Sequence, residues 1–273
     1  MFLRITHQIS LSLAIMSASL VGQDLTTNSL VPDDAQQFHL FILAGQSNMA
    51  GRGIVEDVDK QPVARVLMLD QSGEWVPAVA PMHFDKPGIA GVGLGRTFAK
   101  EYAESHPDVV VGLIPCAVGG SPIESWQPNG YHAQTKSHPW DDCEQRVRIA
   151  MKDGTLRGVL WHQGESDSRP DLAKLYEMRL HALVKRFRET FAVPELPFIA
   201  GQLGQFEGRP WNQARKTVDA AHRMLPEKLP YCGFVPSNGL TPNDDLVHFN
   251  TESLRELGRR YHAVLMETVN QTR

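Results

Sequence analysis

The stretch "FHLFILAGQSN", residues 38–48, runs from an apolar segment into four small or polar residues. An apolar run of this length that ends at glycine is typical of a strand buried on both faces. A buried strand has no need of Gly45, Gln46, Ser47 and Asn48 at its end, whereas a catalytic serine would be well placed on a rigid strand end. The same residues also suit a plain strand-to-helix turn capped by Ser47 or Asn48. Other motifs must therefore decide between the two.

Five further apolar runs predict strands, and the amphipathic segments between them predict helices. The strands are predicted at 65–70, 108–115, 157–163, 196–203 and 229–236, and the helices at 94–105, 139–152, 171–191, 211–225 and 251–269. In the third helix, apolar residues recur at helical spacing from Leu172 to Phe187, directly after Pro170. This alternation predicts a three-layer α/β/α fold, with helices on both faces of a mostly parallel central sheet. Ligands of such sheets bind beyond the carboxyl ends of the strands.

The composition limits the class of protein. The chain has 273 residues, of which 42% are hydrophobic and 21% charged, enough apolar material for one large core. The net charge is −4 and Lys and Arg are scattered, so neither nucleic acid nor an anionic membrane is expected as a partner. Cys116, Cys143 and Cys232 form no CxxC pair and are interpreted as small buried hydrophobes. In an oxidising compartment, one pair would be able to bridge.

The first residues have a different character. Arg4 precedes an uncharged, mostly apolar stretch at residues 9–21. A membrane span needs about 20 apolar residues, so this shorter stretch predicts a cleavable signal peptide at residues 1–23, with an ordinary N-terminal helix as the alternative. The remaining residues, 24–273, are expected to form a single domain, secreted or periplasmic.

Three more polar clusters stand at strand ends or before a helix. They are "IPCAVGGSPIESW" at 114–126, "GVLWHQGESD" at 158–167 and "NDDLVHFN" at 243–250. Glycines such as Gly119 and Gly120 let backbone N–H groups point into a cavity, as an oxyanion hole requires. The amide of Gln163 is a further candidate donor to an oxyanion.

The last two clusters also contain a candidate base and its orienting group. Asp245 and His248 are three residues apart, and on one tight turn the carboxylate can hold the imidazole in the required tautomer. Glu165 is a second carboxylate that can orient a histidine or act as a base. Each cluster alone is also consistent with an ordinary turn or with charged residues on the surface. Together they supply the groups needed for acyl transfer through a covalent serine intermediate.

Several other activities lack their motifs. The chain has no GxSxG, no GxxxxGK[ST] and no HExxH, and Arg96 stands where a dinucleotide fingerprint needs its last glycine. Two alternatives stay open. One is a metal-dependent hydrolase, in which the metal ligands would be His162, Glu165, Asp245 and His248. The other is a non-catalytic carbohydrate-binding protein whose stacking surfaces would be Trp75, Trp126, Trp161 and Trp211.

The motifs "GQSNMAGRG", "AVGGSPIESW", "WHQGESD" and "DDLVHF" occur in this order. With them the chain, over residues 38–265, resembles the SGNH (GDSL-like) hydrolase superfamily. Within it, the chain resembles the sialate O-acetylesterase-like branch, carbohydrate esterase family 6. The resemblance implies an SGNH-like fold and an esterase that removes O-acetyl groups from a carbohydrate substrate without a metal or other cofactor. Xylan, sialic acid and other acetylated glycans all remain possible substrates, and segments 71–93 and 127–140 are predicted to shape the pocket.

The resemblance also implies roles for individual residues. Ser47 would be the nucleophile and His248 the base. Asp245 would be the partner of His248, but in some members of the branch the glutamate of HQGE orients the histidine, so Glu165 is an open alternative.

The resemblance likewise implies an oxyanion hole. It would consist of the N–H groups of Ser47 and Gly120 and the side chain of Gln163. His162 stands where this branch more often has tyrosine, so its role is left unassigned.

Overall fold

The computed structural model of the protein describes residues 30–271. The predicted signal peptide at residues 1–23 lies outside the described residues. The strands are β1 (Phe38–Gly45), β2 (Val66–Leu69), β3 (Trp75–Pro77), β4 (Val110–Pro115), β5 (Thr155–His162), β6 (Phe198–Gly201) and β7 (Cys232–Val235). The helices are α1 (Ser47–Ala50), α2 (Gly95–Ser105), α3 (Pro139–Ala150), α4 (Pro170–Thr190), α5 (Gln213–Lys228) and α6 (Thr251–Gln271).

The strands form one seven-stranded sheet in the order β3-β2-β4-β1-β5-β6-β7. Every neighbouring pair is parallel except β2 and β3, which are antiparallel. All predicted strands and helices are present, so the predicted α/β fold with a mostly parallel sheet is confirmed. The sequence did not predict β3 and α1, which have three and four residues and are too short to show a periodic pattern.

Side chains of β1 alternate between the two faces of the sheet, as in any strand. Phe38, Leu40 and Ile42 belong to one buried cluster, together with residues of α3, α4 and α5. Phe41 and Leu43 belong to a second cluster, with residues of α2 and α6. The helices therefore cover both faces, and the predicted three-layer arrangement is confirmed.

The three central strands, β4, β1 and β5, each end at one of the predicted motifs. Backbone hydrogen bonds join their carboxyl ends directly. Val118 N donates to Gly45 O over 2.9 Å, and Gln46 N donates to His162 O over 2.9 Å. The fourth motif, residues 243–250, lies between β7 and α6. Because parallel strands end at the same edge, the fold brings the serine, glycine and HQGE motifs side by side.

The candidate stacking tryptophans divide into two kinds. Trp126 and Trp161 are fully buried, with ring centroids 5.1 Å apart in an edge-to-face contact, so their predicted role as sugar-stacking surfaces is wrong. Their aromatic area contributes to the core instead. Trp75 and Trp211 are half-buried, and their indole N–H groups bond to Asp153 and to the Gly204 carbonyl.

The three cysteines are buried and free, as the interpretation of them as small core residues predicts. Between residues 30 and 271, no helix has the length and apolar character that crossing a membrane requires.

Candidate active site

Gly45 sets the position of Ser47 at the end of β1. It has a φ of +130°, and a Cβ at this position would lie 2.2 Å from the His162 carbonyl oxygen. Only glycine lets the turn adopt this backbone conformation and lie this close to β5. The turn then leads directly into α1, whose first residue is Ser47.

We expect Gly45→Ala to lower the free energy of unfolding by about 3 kcal/mol, because the methyl group would meet β5 backbone at a positive φ. Urea unfolding measures this loss. Gly88→Ala is the matched control, since Gly88 has nothing within 4 Å of an added Cβ. Equal stability of the two variants would contradict this account of the turn.

Ser47, His248 and Asp245 form one chain of hydrogen bonds. Ser47 Oγ lies 2.9 Å from His248 Nε2, and His248 Nδ1 lies 2.5 Å from Asp245 Oδ2. The other oxygen, Asp245 Oδ1, accepts the backbone N–H groups of Val247 and His248 over 2.8 and 2.9 Å. Partial burial raises the pKa of Asp245, but hydrogen bonds from the His248 backbone and ring outweigh it and leave the pKa below 3.8. The carboxylate is therefore ionised at neutral pH and faces the imidazole.

Glu165 supports the nucleophile turn, and the hydrogen bonds of the His248 ring go to Ser47 and Asp245 instead. Its Oε1 accepts a hydrogen bond of 2.6 Å from Asn48 Nδ2. The buried Asn48 amide also donates to Val247 O over 3.3 Å and accepts from Phe249 N over 3.1 Å. Asn48 thus ties the nucleophile turn to the loop that carries His248. The GQSN motif contains Asn48, but the sequence alone did not predict this role for it.

Two backbone N–H groups are available for an oxyanion. As the first residue of α1, Ser47 has no intrahelical acceptor for its N–H. Among residues 30–271 the Gly120 N–H also has no acceptor, and Gly120 has a φ of +84°. Ser166 Oγ donates to Gly120 O over 2.8 Å, and Ser166 N donates to Gln46 Oε1 over 3.3 Å. These bonds connect the glycine loop to the nucleophile turn.

Gln163, the third predicted oxyanion donor, has other hydrogen-bond partners in this structure. Its side chain is fully buried, and Nε2 donates to Ser121 O over 3.1 Å and to Asp167 Oδ2 over 2.5 Å. Its Oε1 accepts from Tyr176 Oη over 2.8 Å. Both amide N–H groups are taken, so none is left for a substrate. Gln163 instead supports the loop next to Gly120.

Asp167 also stabilises the loop next to Gly120. Its Oδ2 also accepts Ile123 N over 2.9 Å, and the residue is fully buried. Burial raises the pKa of this carboxyl above 3.8, partly offset by the hydrogen bonds from Gln163 and Ile123. The sequence placed Asp167 in a polar cluster but did not indicate that it faces the protein interior.

We expect Gln163→Leu to lower the free energy of unfolding by about 2–4 kcal/mol, because it leaves buried polar partners unsatisfied. Urea unfolding and kcat on an acetyl ester are to be measured together, with Gln205→Leu, at an exposed glutamine, as control. A stability equal to that of the parent protein, with a hundredfold lower kcat, would restore Gln163 to the oxyanion hole.

His162 lies in the core behind Gly45. Its Nδ1 lies 3.1 Å from Tyr261 Oη, which itself donates to Trp161 O over 2.7 Å. Burial lowers the pKa of His162, so the ring is neutral and serves as a structural donor. Among the residues with described coordinates, no three His, Cys, Asp or Glu side chains are grouped as metal ligands. The predicted alternative of a metal held by His162, Glu165, Asp245 and His248 has no support in this geometry.

Comparisons with known proteins show the family and the fold of the chain. The sequence profile of the family described as "Carbohydrate esterase, sialic acid-specific acetylesterase" matches residues 37–267. A probable carbohydrate esterase of Arabidopsis thaliana is 32% identical over 241 residues, which is 80% of this chain and 86% of that protein.

Three solved structures have the same fold. An X-ray structure of an Arabidopsis thaliana protein has a TM-score of 0.73 at 29% identity, and covers 84% of this chain and 98% of that one. NanS has a TM-score of 0.68 at 16% identity, with 87% and 99% covered. XAC1771, a carbohydrate acetylesterase from Xanthomonas citri, has a TM-score of 0.65 at 22% identity, with 85% and 57% covered.

The family profile spans most of the chain, and the relative from Arabidopsis thaliana covers four fifths of it. The chain therefore belongs to the sialic acid-specific acetylesterase family of carbohydrate esterases, enzymes that hydrolyse carboxylic ester bonds.

Proposed function

We propose that this protein is a serine esterase that removes O-acetyl groups from carbohydrate through Ser47, His248 and Asp245. The observation that carries the proposal is the continuous hydrogen-bonded chain of these three side chains. Ser47 and His248 are 201 residues apart in sequence, yet Ser47 Oγ and His248 Nε2 lie 2.9 Å apart. A serine, an imidazole and a carboxylate in this order are the groups that generate an alkoxide-like nucleophile at neutral pH.

In the first step, Ser47 Oγ attacks the acetyl carbonyl carbon while His248 Nε2 takes its proton. Asp245 accepts the Nδ1–H of the ring, which fixes the tautomer and stabilises the imidazolium that forms. The carbonyl oxygen becomes negatively charged in the tetrahedral intermediate. The backbone N–H groups of Ser47 and Gly120 donate hydrogen bonds to it, and each such donor contributes on the order of a hundredfold in rate.

The second half of the reaction restores the enzyme. The intermediate collapses, the bond to the sugar oxygen breaks, and His248 gives its proton to that oxygen. A water molecule then attacks the acetyl-Ser47 ester while His248 takes its proton. As the bond to Ser47 Oγ breaks, His248 gives that proton to Oγ, and acetate leaves. This mechanism balances without a metal or other cofactor.

Two further features support the proposed substrate and the proposed location of the protein. Family membership and the carbohydrate acetylesterase activity named for XAC1771 favour an acetylated carbohydrate as substrate. The basic and apolar N-terminal sequence favours a secreted or periplasmic location.

The test is acetate release from a panel of acetylated xylan, acetylated mannan and O-acetylated sialic acid, each with and without a chelator. We expect release from at least one of them, unchanged by the chelator. No hydrolysis of these substrates or of p-nitrophenyl acetate would contradict the proposal. Loss of activity with chelator would identify a metal-dependent hydrolase instead.

A further inference from the structure

We propose that a polar cleft beside the oxyanion loop binds additional sugar units, so that the enzyme prefers acetylated oligosaccharides to acetylated monosaccharides. This inference rests on the proposed esterase function. It adds the substrate class and a second binding region.

The cleft lies at the carboxyl ends of β2 and β4 and has a volume of about 460 Å³. Ligand sites in proteins commonly have volumes of about 300–1,000 Å³. Its walls include residues 71–73, 83–85 and 115–118, Thr135, Ser137 and one side of α3. Much of this wall comes from the two segments that the sequence predicted to shape the pocket.

Two wall residues bond directly to the backbone of the proposed active site. Val118 N donates to Gly45 O over 2.9 Å, two residues before Ser47. Asp85 Oδ2 accepts the N–H of Gly119 over 2.7 Å, next to the oxyanion glycine. The cleft and the reaction centre are therefore separated by a single loop.

Two loops of the cleft wall extend to Gly120. Lys86 comes directly after the wall residue Asp85, and Gln134 directly before the wall residue Thr135. The Lys86 ammonium donates a hydrogen bond of 3.0 Å to Gln134 Oε1. That oxygen lies 2.7 Å from the position a Cβ on Gly120 would occupy. The same two loops thus border both the proposed oxyanion hole and the cleft.

The chemistry of the cleft suits neutral hydroxyl groups. The Asp85 carboxylate is paired with Arg52 over 2.8 Å, and both side chains are buried. The Arg146 guanidinium donates hydrogen bonds to the carbonyl oxygens of Leu69, Asp70 and Pro115. Protein oxygens therefore already use most of the hydrogen-bonding capacity of these cations, which favours a neutral ligand over a phosphate or carboxylate.

The groups that remain are mostly uncharged hydrogen-bonding side chains, together with His83 and the Asp142 carboxylate. The Phe84 ring also lines the cleft and packs against the Arg146 guanidinium, 5.1 Å from the ring centre. The lining includes Gln71, Ser72, Phe84, Thr135, Ser137 and Gln145. Asp85 Oδ1 is buried and has no donor within the described part of the chain. The hydroxyl, amide and carbonyl groups on the surface of the cleft would pair with sugar hydroxyls instead, since Asp85 is enclosed by protein.

The first test compares kcat/KM for acetylated xylo- and manno-oligosaccharides, from the monosaccharide to the tetrasaccharide. We expect kcat/KM to rise by about tenfold or more with length for at least one series, the effect of a few added hydrogen bonds. p-Nitrophenyl acetate serves as the substrate that does not reach the cleft.

The second test narrows the cleft with Gln145→Trp, at an exposed position of α3 that lines it. We expect the gain with length to disappear while p-nitrophenyl acetate hydrolysis stays unchanged. Lys152→Trp, an exposed position outside the cleft lining, is the matched control and should keep both activities.

Binding of the unacetylated tetrasaccharides, measured by calorimetry, examines the cleft without turnover. If the protein hydrolyses no ester but binds the tetrasaccharides, and Gln145→Trp weakens that binding, the esterase function is refuted and the cleft remains a glycan-binding site. Ester hydrolysis with no effect of length, no binding and no effect of Gln145→Trp would overturn the inference alone.

Discussion

Ser47→Ala is expected to lower kcat for p-nitrophenyl acetate by about 10⁴-fold or more, because it removes the atom that forms the covalent intermediate. The hydroxyl bonds to His248 and the backbone of α1 needs no side chain at this position, so the fold should persist. Residual hydrolysis would come from the oxyanion donors and from binding alone. Initial rates at saturating substrate, with circular dichroism for the fold, measure this effect.

Ser168→Ala is the matched control for this variant. Ser168 lies in the neighbouring HQGESDS stretch, and its Oγ donates to the Gly164 carbonyl rather than to an imidazole. We expect its kcat to stay within about tenfold of the parent protein, since only a local hydrogen bond of about 1 kcal/mol is lost. Undiminished hydrolysis by a folded Ser47→Ala protein would exclude Ser47 as the nucleophile.

The second large effect separates the two carboxylates that the sequence left as alternatives. Asp245→Asn is expected to lower kcat by about 10³–10⁴-fold, because an amide N–H would face His248 Nδ1 and favour the wrong tautomer. Glu165→Gln should lower kcat by less than about tenfold, since Glu165 accepts a hydrogen bond from Asn48 and a glutamine oxygen can still accept it.

The two variants are matched, because each replaces one carboxylate oxygen of the active site by an amide nitrogen and leaves the size of the side chain unchanged. Their kcat values on the same acetyl ester give the ranking directly. If Glu165→Gln proved the more damaging, the carboxylate that orients His248 would be Glu165, and the His248–Asp245 contact would be incidental.

Most of the fold could be predicted from the sequence because its elements carry strong local signals. β1 is apolar on both faces, and α4, a helix of 21 residues, has an apolar stripe and a proline at its start. Alternation of such elements restricts the topology to few choices. β3, with only three residues at the sheet edge, has no pattern of its own and depends on its pairing with β2.

The site was less predictable, since its contacts join distant segments. The spacing of Asp245 and His248 within one turn could be read locally. The contacts of Gln163 could not, because two of its three partners, Ser121 and Tyr176, lie 42 residues earlier and 13 residues later in the chain. Asn48 bonds to Val247 and Phe249, which lie 199 and 201 residues away, so its role appears only after folding.

The central claim is that Ser47 becomes covalently acylated. Treatment with a fluorophosphonate, which forms stable adducts with activated serines, followed by peptide mass spectrometry tests it most directly. We expect one adduct, on Ser47, which forms far more slowly in the His248→Ala variant. An adduct on a different residue, or none on a protein that still hydrolyses acetyl esters, would contradict it.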